Sequence, residues 1–166
     1  MITILRVRHA IRYRRRNLSL PILLAIALEG MSSANAQEWT RFRGPNGSGA
    51  SEATTIPVSW TQQDYNWKID LPGEGHSSPV LWGDKLFVTS GDPKTGNVTV
   101  LCIRASDGKR LWSRPIQSAA YRVHLRNSFA SSTPAVDAER GYVSTADPDG
   151  IALTALDHQG SGGWGA

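Results

Sequence analysis

A single cysteine, Cys102, occurs in 166 residues, so no disulfide framework can hold this chain together. The apolar run Leu18 to Leu28 has 11 residues and is broken by Ser19 and Pro21. A helix that crosses a bilayer needs about 20, so a membrane span is not expected. No cysteine directly follows that run, so a lipoprotein-type lipid anchor is not expected. Past residue 37 no stretch repeats its apolar residues every 3.6 positions, so amphipathic helices are not expected either. A basic body is missing too, despite a formal charge of +4 and a pI near 9.6. Residues 1–36 hold six Arg against one Glu, and the remainder holds 12 basic against 13 acidic groups. The positive charge therefore sits at the N-terminus, and no surface is left to track phosphates. Nucleic acid is excluded as a partner class.

What is present begins with a targeting segment. Arg6, Arg8, Arg12, Arg14, Arg15 and Arg16 form a positive region ahead of the apolar run. Ala34-Asn35-Ala36 follows as an A-x-A site, which predicts cleavage between Ala36 and Gln37. Arg15-Arg16-Asn17-Leu18 is a partial twin-arginine pattern, so the export route stays open. The mature chain is expected to be periplasmic or secreted, with no transmembrane span.

The mature chain is rich in turn formers, with 15 Gly and 8 Pro, and carries six Trp. Gln37 to Glu52 is a polar, Gly-rich lead-in. Short strand-like runs follow. Asn66 to Leu71 alternates Trp67, Ile69 and Leu71 with Lys68 and Asp70. Pro79 to Trp82 and Lys85 to Ser90 flank Gly83-Asp84, a two-residue hairpin turn with glycine first. Val98 to Ile103 is apolar on both sides, with Val98, Val100 and Cys102 on one face and Leu101 and Ile103 on the other. Such a strand must be covered twice.

The chain also repeats itself. His76-Ser77-Ser78-Pro79-Val80 opens one unit and Ser131-Ser132-Thr133-Pro134-Ala135-Val136 a second. Strand, polar loop and strand follow in each, and each closes on Gly-x-x-x-Trp: Gly108 to Trp112, then Gly160 to Trp164. The prolines are 55 positions apart and the closing tryptophans 52. Short strands at a period near 50 predict an all-β propeller of four-stranded blades.

These units resemble the pyrroloquinoline-quinone-type β-propeller with its tryptophan-docking repeat. In that repeat an Ala-x-Asp-x-x-Thr-Gly-x-x-x-Trp pattern ends each blade and the Trp packs between neighbours. Gly108 and Trp112 match in the first unit, where Arg104 and Asp107 replace the family's Asp and Thr. Asp157, Gly160 and Trp164 match in the second, across a shortened turn. Trp39 to Gly49, Val58-Ser59-Trp60, Asn66-Trp67-Lys68 and Gly75-His76-Ser77-Ser78-Pro79 resemble the start of exported bacterial propeller proteins. Those proteins are similar to the propeller subunit of the outer-membrane β-barrel assembly machinery. After the signal peptide over 1–36, the resemblance implies a lead-in with a first outer strand over 37–75 and a blade unit over 76–112. A connection over 113–130 and a second, truncated blade unit over 131–166 complete it. A propeller takes 4–8 blades, so two units predict the N-terminal part of a longer protein, or a half-propeller that closes by oligomerising.

Chemistry-bearing motifs are few. Gly44 to Gly49 lacks the Lys-Ser/Thr of a phosphate loop. His76, His124 and His158 lack metal-ligand spacing. Ser77, Ser78, Ser131 and Ser132 lack a nucleophile-elbow context, and Asp147-Pro148-Asp149-Gly150 lacks an EF-hand's closing Glu. No catalytic or metal residue is assigned. Inner strands line a propeller's channel, which makes Glu74 and His76 the candidate channel-facing residues. Quinone dehydrogenases of this fold use an Asp, Ca²⁺ and often adjacent cysteines, and a lone Cys102 cannot supply the pair. The expected function is a non-catalytic binding or assembly scaffold for a protein or glycan partner, with no cofactor. The alternatives are a piece of a quinone-dependent dehydrogenase, which would take pyrroloquinoline quinone, and a sensor region of a longer signalling protein.

Overall fold

The protein is described by a computed structural model covering residues 2–5, 38–54 and 56–165. Apart from residues 2–5, the expected signal peptide and its cleavage point after Ala36 lie outside the described residues. The described chain is all-β, with one short 3-10 turn at Gln62–Asp64. Its strands are β1 (Ile2–Leu5), β2 (Tyr65–Ile69), β3 (Val80–Trp82), β4 (Lys85–Gly91), β5 (Val98–Arg104) and β6 (Arg110–Ile116). A second set follows: β7 (Ala135–Val136), β8 (Arg140–Asp147), β9 (Gly150–Asp157) and β10 (Gly162–Gly165).

They form two four-stranded sheets in the orders β3-β4-β5-β6 and β7-β8-β9-β10, plus a two-stranded pair, β1-β2. Every pairing is antiparallel. Sequence neighbours pair because the connections are tight. Gly83 opens the β3–β4 turn at φ 56°, a conformation that glycine adopts without steric cost. β6 runs four residues past Trp112, to Ile116.

The two sheets are successive blades of a partial propeller, and burial shows how they stack. β5 is buried on both faces. Leu101 and Ile103 join Leu86, Val88 and Trp67 in one cluster, with Ile69, Leu71 and Leu81 packed beside them. Cys102, Val80 and Phe87 pack in a second cluster with Val136 of the other sheet. Val100 joins Val143 and Leu156. The first sheet thus lies between β2 and the second sheet, which is why its apolar residues do not alternate with polar ones. β8 does alternate: Gly141, Val143 and Thr145 are buried against the first sheet, and Arg140, Tyr142, Ser144 and Ala146 are half-exposed.

The lead-in ties the two sheets together at their inner edge. Trp39 exchanges both backbone hydrogen bonds with Leu81 at 3.1 and 2.8 Å, and the Val136 N–H donates to Thr40 O at 2.8 Å. One extended segment therefore satisfies backbone groups on β3 and on β7, the innermost strand of each blade. Gly44 closes the turn after it at φ 78°, where a side chain would sit 2.8 Å from the Trp39 ring.

Candidate functional site: blade junctions and the inner rim

Two tryptophans hold the stack, and they do it alike. Trp112 on β6 pairs in register with Cys102. Its Nε1–H donates to His158 O at 3.1 Å, in the turn that carries Gly160 at φ 83°. A methyl group on Gly160 would lie 2.7 Å from Trp112 Cδ2, so only glycine lets the ring lie on that turn. Trp67 on β2 repeats the arrangement one layer earlier. Its Nε1–H donates to Ala105 O at 2.8 Å, and a methyl on Gly108 would lie 2.5 Å from its Cδ2. Each indole contributes a large apolar area and directs its single donor to a carbonyl, the usual way a buried Trp is satisfied.

Of the residues singled out from sequence, Gly108, Trp112 and Gly160 therefore meet at junctions, though not within one unit. Each tryptophan docks on the glycine turn of the following unit. Asp157 holds the second turn, its Oδ1 accepting from Gln159 N at 2.9 Å and Ser161 N at 2.8 Å. Trp164 on β10 stands in register with Ala155. That is the position Trp112 holds against Cys102, and the register shifts beside both pairs. Sequence reading missed Trp67 as a docking residue. The signal was available in the Asn66-Trp67-Lys68 run, 41 positions ahead of Gly108.

The first corner keeps its shape by other means than the family's Asp and Thr. Arg104 Nη1 and Asp107 Oδ2 form an exposed ion pair at 3.0 Å. Asp84, from the β3–β4 turn, accepts from both Ser106 N and Ser106 Oγ at 2.9 Å. The Asp107 carboxyl is held below its ordinary range, chiefly by the hydrogen bond from Lys109 N and further by Arg104. At the β7–β8 turn Asp137 is lowered the same way, by the backbone N–H groups of Glu139 and Arg140.

The inner rim is polar, and its side chains tie backbone to backbone. Glu74 exchanges main-chain hydrogen bonds with Gly91 at 2.9 and 2.7 Å. The N–H groups of His76 and Ser77 both donate to Ala130 O. His76 Nδ1 lies 3.1 Å from Ser128 Oγ, and Ser128 Oγ lies 3.2 Å from Ser131 Oγ, which in turn donates to Asn127 Oδ1. Thr133 Oγ1 accepts from Ser78 N at 2.9 Å, and Thr89 Oγ1 donates to Ser132 O at 3.3 Å. Both bonds link the two units, and Ser78 and Thr133 are equivalent positions in them. Glycine permits the close approach: a methyl on Gly73 would fall 2.2 Å from Gly91 O.

Glu74 and His76 are both exposed, on the segment that enters β3. Glu74 borders a cleft of about 390 Å³ with Leu71, Ser77, Val88 and Ser90. It also borders a smaller one of about 110 Å³ with Val123, Asn127, Ser128 and Phe129. His76 lines neither cleft, but its partner Ser128 lines the second beside Glu74. Among the described residues no three His, Cys, Asp or Glu side chains stand together. Cys102 is fully buried, and burial pushes its thiol up to about 11. A donor set for quinone with Ca²⁺ would need acidic groups converging on one cavity. The described residues do not supply one, so no chemical step is routed through that cofactor.

Residues 51–165 match the PQQ_2 family model, described as "Outer membrane protein assembly factor BamB". No curated protein matches the chain. Among the described residues no helix is long and apolar enough to cross a membrane.

Proposed function

For this chain, which belongs to the PQQ_2 family of the outer membrane protein assembly factor BamB, we propose the role of an exported, non-catalytic scaffold. It presents a rigid propeller rim to a protein partner during assembly of the cell envelope. The observation that supports this reading is how the rim's polar side chains are used. The side chains of His76, Thr89, Ser128 and Thr133 bind backbone or one another between the first unit and the chain that follows it. A rim fixed in this way loses little conformational entropy when a partner settles on it. Its loops can then vary while the sheets stay fixed, as is common for binding surfaces on rigid scaffolds.

Two measurements test the proposal. N-terminal sequencing of the protein recovered from the periplasm or medium is expected to begin at Gln37; an intact Met1 would argue against export. Titration with pyrroloquinoline quinone and Ca²⁺ is expected to give no saturable fluorescence change, and no dye reduction with alcohols or aldose sugars. One-to-one quinone binding with turnover would replace the scaffold by a dehydrogenase.

A further inference from the structure

Arg43 is the one non-glycine among the described residues with a positive φ, 63°. That left-handed region is disfavoured for an L-residue, and such strain persists only where the surroundings over-determine it. Here the surroundings are the loop's own bonds. Arg41 Nε and Nη2 donate to Gly44 O at 3.4 Å and Pro45 O at 2.8 Å. Arg43 Nη2 donates to Ser48 O at 2.9 Å, and the Gly49 N–H donates to Arg43 O at 2.9 Å. Each guanidinium carries five N–H donors, so most of them stay uncommitted. Neither group makes an ion pair with a described residue. Both side chains are exposed, and residues 39–51 contain no acidic residue. Phe42, between them, is 60% exposed. All of these bonds close within residues 41–49, so the arrangement does not depend on what stacks on either sheet.

We propose that Arg41 and Arg43 form a carboxylate-binding site for an acidic segment of a protein partner, with Phe42 as its apolar anchor. The inference rests on the scaffold reading above and names the partner's chemistry. Three observations carry it. Residues 37–166 hold 12 basic and 13 acidic groups, yet this loop gathers two cations with no counter-ion beside them. Their side chains are already ordered by the carbonyl bonds, so little rotamer freedom is lost when a ligand arrives, and the planar fork of Arg suits a carboxylate. Arg and an exposed aromatic side by side are what interface hot spots are made of. The loop is also well placed to hold a partner, because the Trp39-Thr40 strap just before it is bonded to both blades. A glycine at position 43 would remove the strain, so the fold alone does not call for arginine there.

The test titrates acetyl-Glu-Leu-Glu-Leu-Glu-amide into the exported protein by calorimetry, with the peptide carrying Gln for Glu as control. Saturable binding of the acidic peptide alone is expected, and it should weaken as salt rises from about 0.05 to about 0.5 M, because screening shortens the reach of the charges. Arg41→Gln and Arg43→Gln should each weaken it by roughly fivefold or more, and Phe42→Ala by roughly threefold or more. Arg122→Gln, exposed on the connection between the units, should leave it unchanged. Arg43→Gly separates recognition from structure. Glycine relieves the positive φ, so the urea midpoint should be no lower than wild type while affinity falls as in Arg43→Gln. No saturable binding, an equal loss for Arg122→Gln, or a lower midpoint with unchanged affinity for Arg43→Gly would each overturn the proposal. Saturable binding of polygalacturonate in place of the peptide would overturn it too, by making the partner a glycan. The titration reads binding alone, so its failure leaves the scaffold reading to the export and quinone measurements.

Discussion

Gly108→Ala offers the sharpest test of how the blades are joined. Two costs arise at that position and can be separated. The first is conformational. Gly108 has φ 74°, and an L-residue held in the left-handed region costs about 1–2 kcal/mol. The second is steric. The new methyl would lie 2.5 Å from Trp67 Cδ2 and 2.6 Å from Cε3, inside van der Waals contact. The indole cannot slide away freely, because its Nε1–H is bonded to Ala105 O. Overpacking of this kind costs about 1–3 kcal/mol. The expected loss is therefore about 2–5 kcal/mol, a large share of the 5–15 typical of a domain. Gly83→Ala is the internal control. It also has positive φ, 56°, but nothing lies within 4 Å of the added methyl, so it should cost only the conformational part, about 1–2 kcal/mol. Urea unfolding followed by circular dichroism gives both values. A cycle with Trp67→Leu then isolates the contact, because Gly108→Ala in that background should fall to the cost of Gly83→Ala. Equal losses for the two alanines, or strict additivity in the cycle, would refute the docking argument.

Trp112→Phe keeps a ring on the Gly160 turn but removes one of the two donors to His158 O, leaving Lys85 Nζ at 3.3 Å; urea unfolding should report a loss of about 0.5–1.5 kcal/mol, the net worth of one hydrogen bond. Asp107 and Asp137 both have folded values lowered from 3.8. Their stabilisation is present above that value and is lost as pH falls through the folded values. Acid unfolding should therefore set in below about pH 4, and Asp137→Asn should flatten that limb. Cys102, with its thiol at about 11, should resist a thiol reagent at pH 8 in the native protein and react at once in denaturant; native labelling at the denatured rate would contradict its burial.

The strands were legible because their reasons are local. Gly83-Asp84 fixes a hairpin, and the two apolar faces of Val98 to Ile103 demand two covers; the structure supplies both, β2 with Trp67 on one side and the second sheet on the other. The repeat was legible for the same reason, since Gly108 and Gly160 each occupy a left-handed turn that few other residues tolerate. The junction was not legible. Which tryptophan meets which glycine is a relation across 41 or 48 positions. A Gly-x-x-x-Trp spacing suggests partners within a unit, whereas the docked pairs lie between units. Asp84 is a similar case. From the sequence it is a turn residue, and nothing in Gly83-Asp84 says that its carboxylate will also hold Ser106.

Those long-range pairs bear on how the fold resists change. Within each sheet, losing one hairpin contact leaves many others. Between layers, the polar ties of the described residues include one indole N–H per junction, the Lys85 Nζ bond to His158 O, the Thr133 and Thr89 bonds between the two units, and the Trp39-Thr40 strap across β3 and β7. Each is one to three bonds at a seam that is otherwise apolar and non-directional. Apolar contact supplies most of the free energy of stacking, and it would tolerate small slips of one sheet over the next. The directional bonds do not, since a shift of 1 Å takes a 2.8 Å hydrogen bond outside useful geometry. Register between the blades therefore rests on a handful of residues. Of these Trp67 is the most exposed to mutation's effect, because one side chain both fills the seam against Leu86, Val88, Leu101 and Ile103 and fixes its register at Ala105.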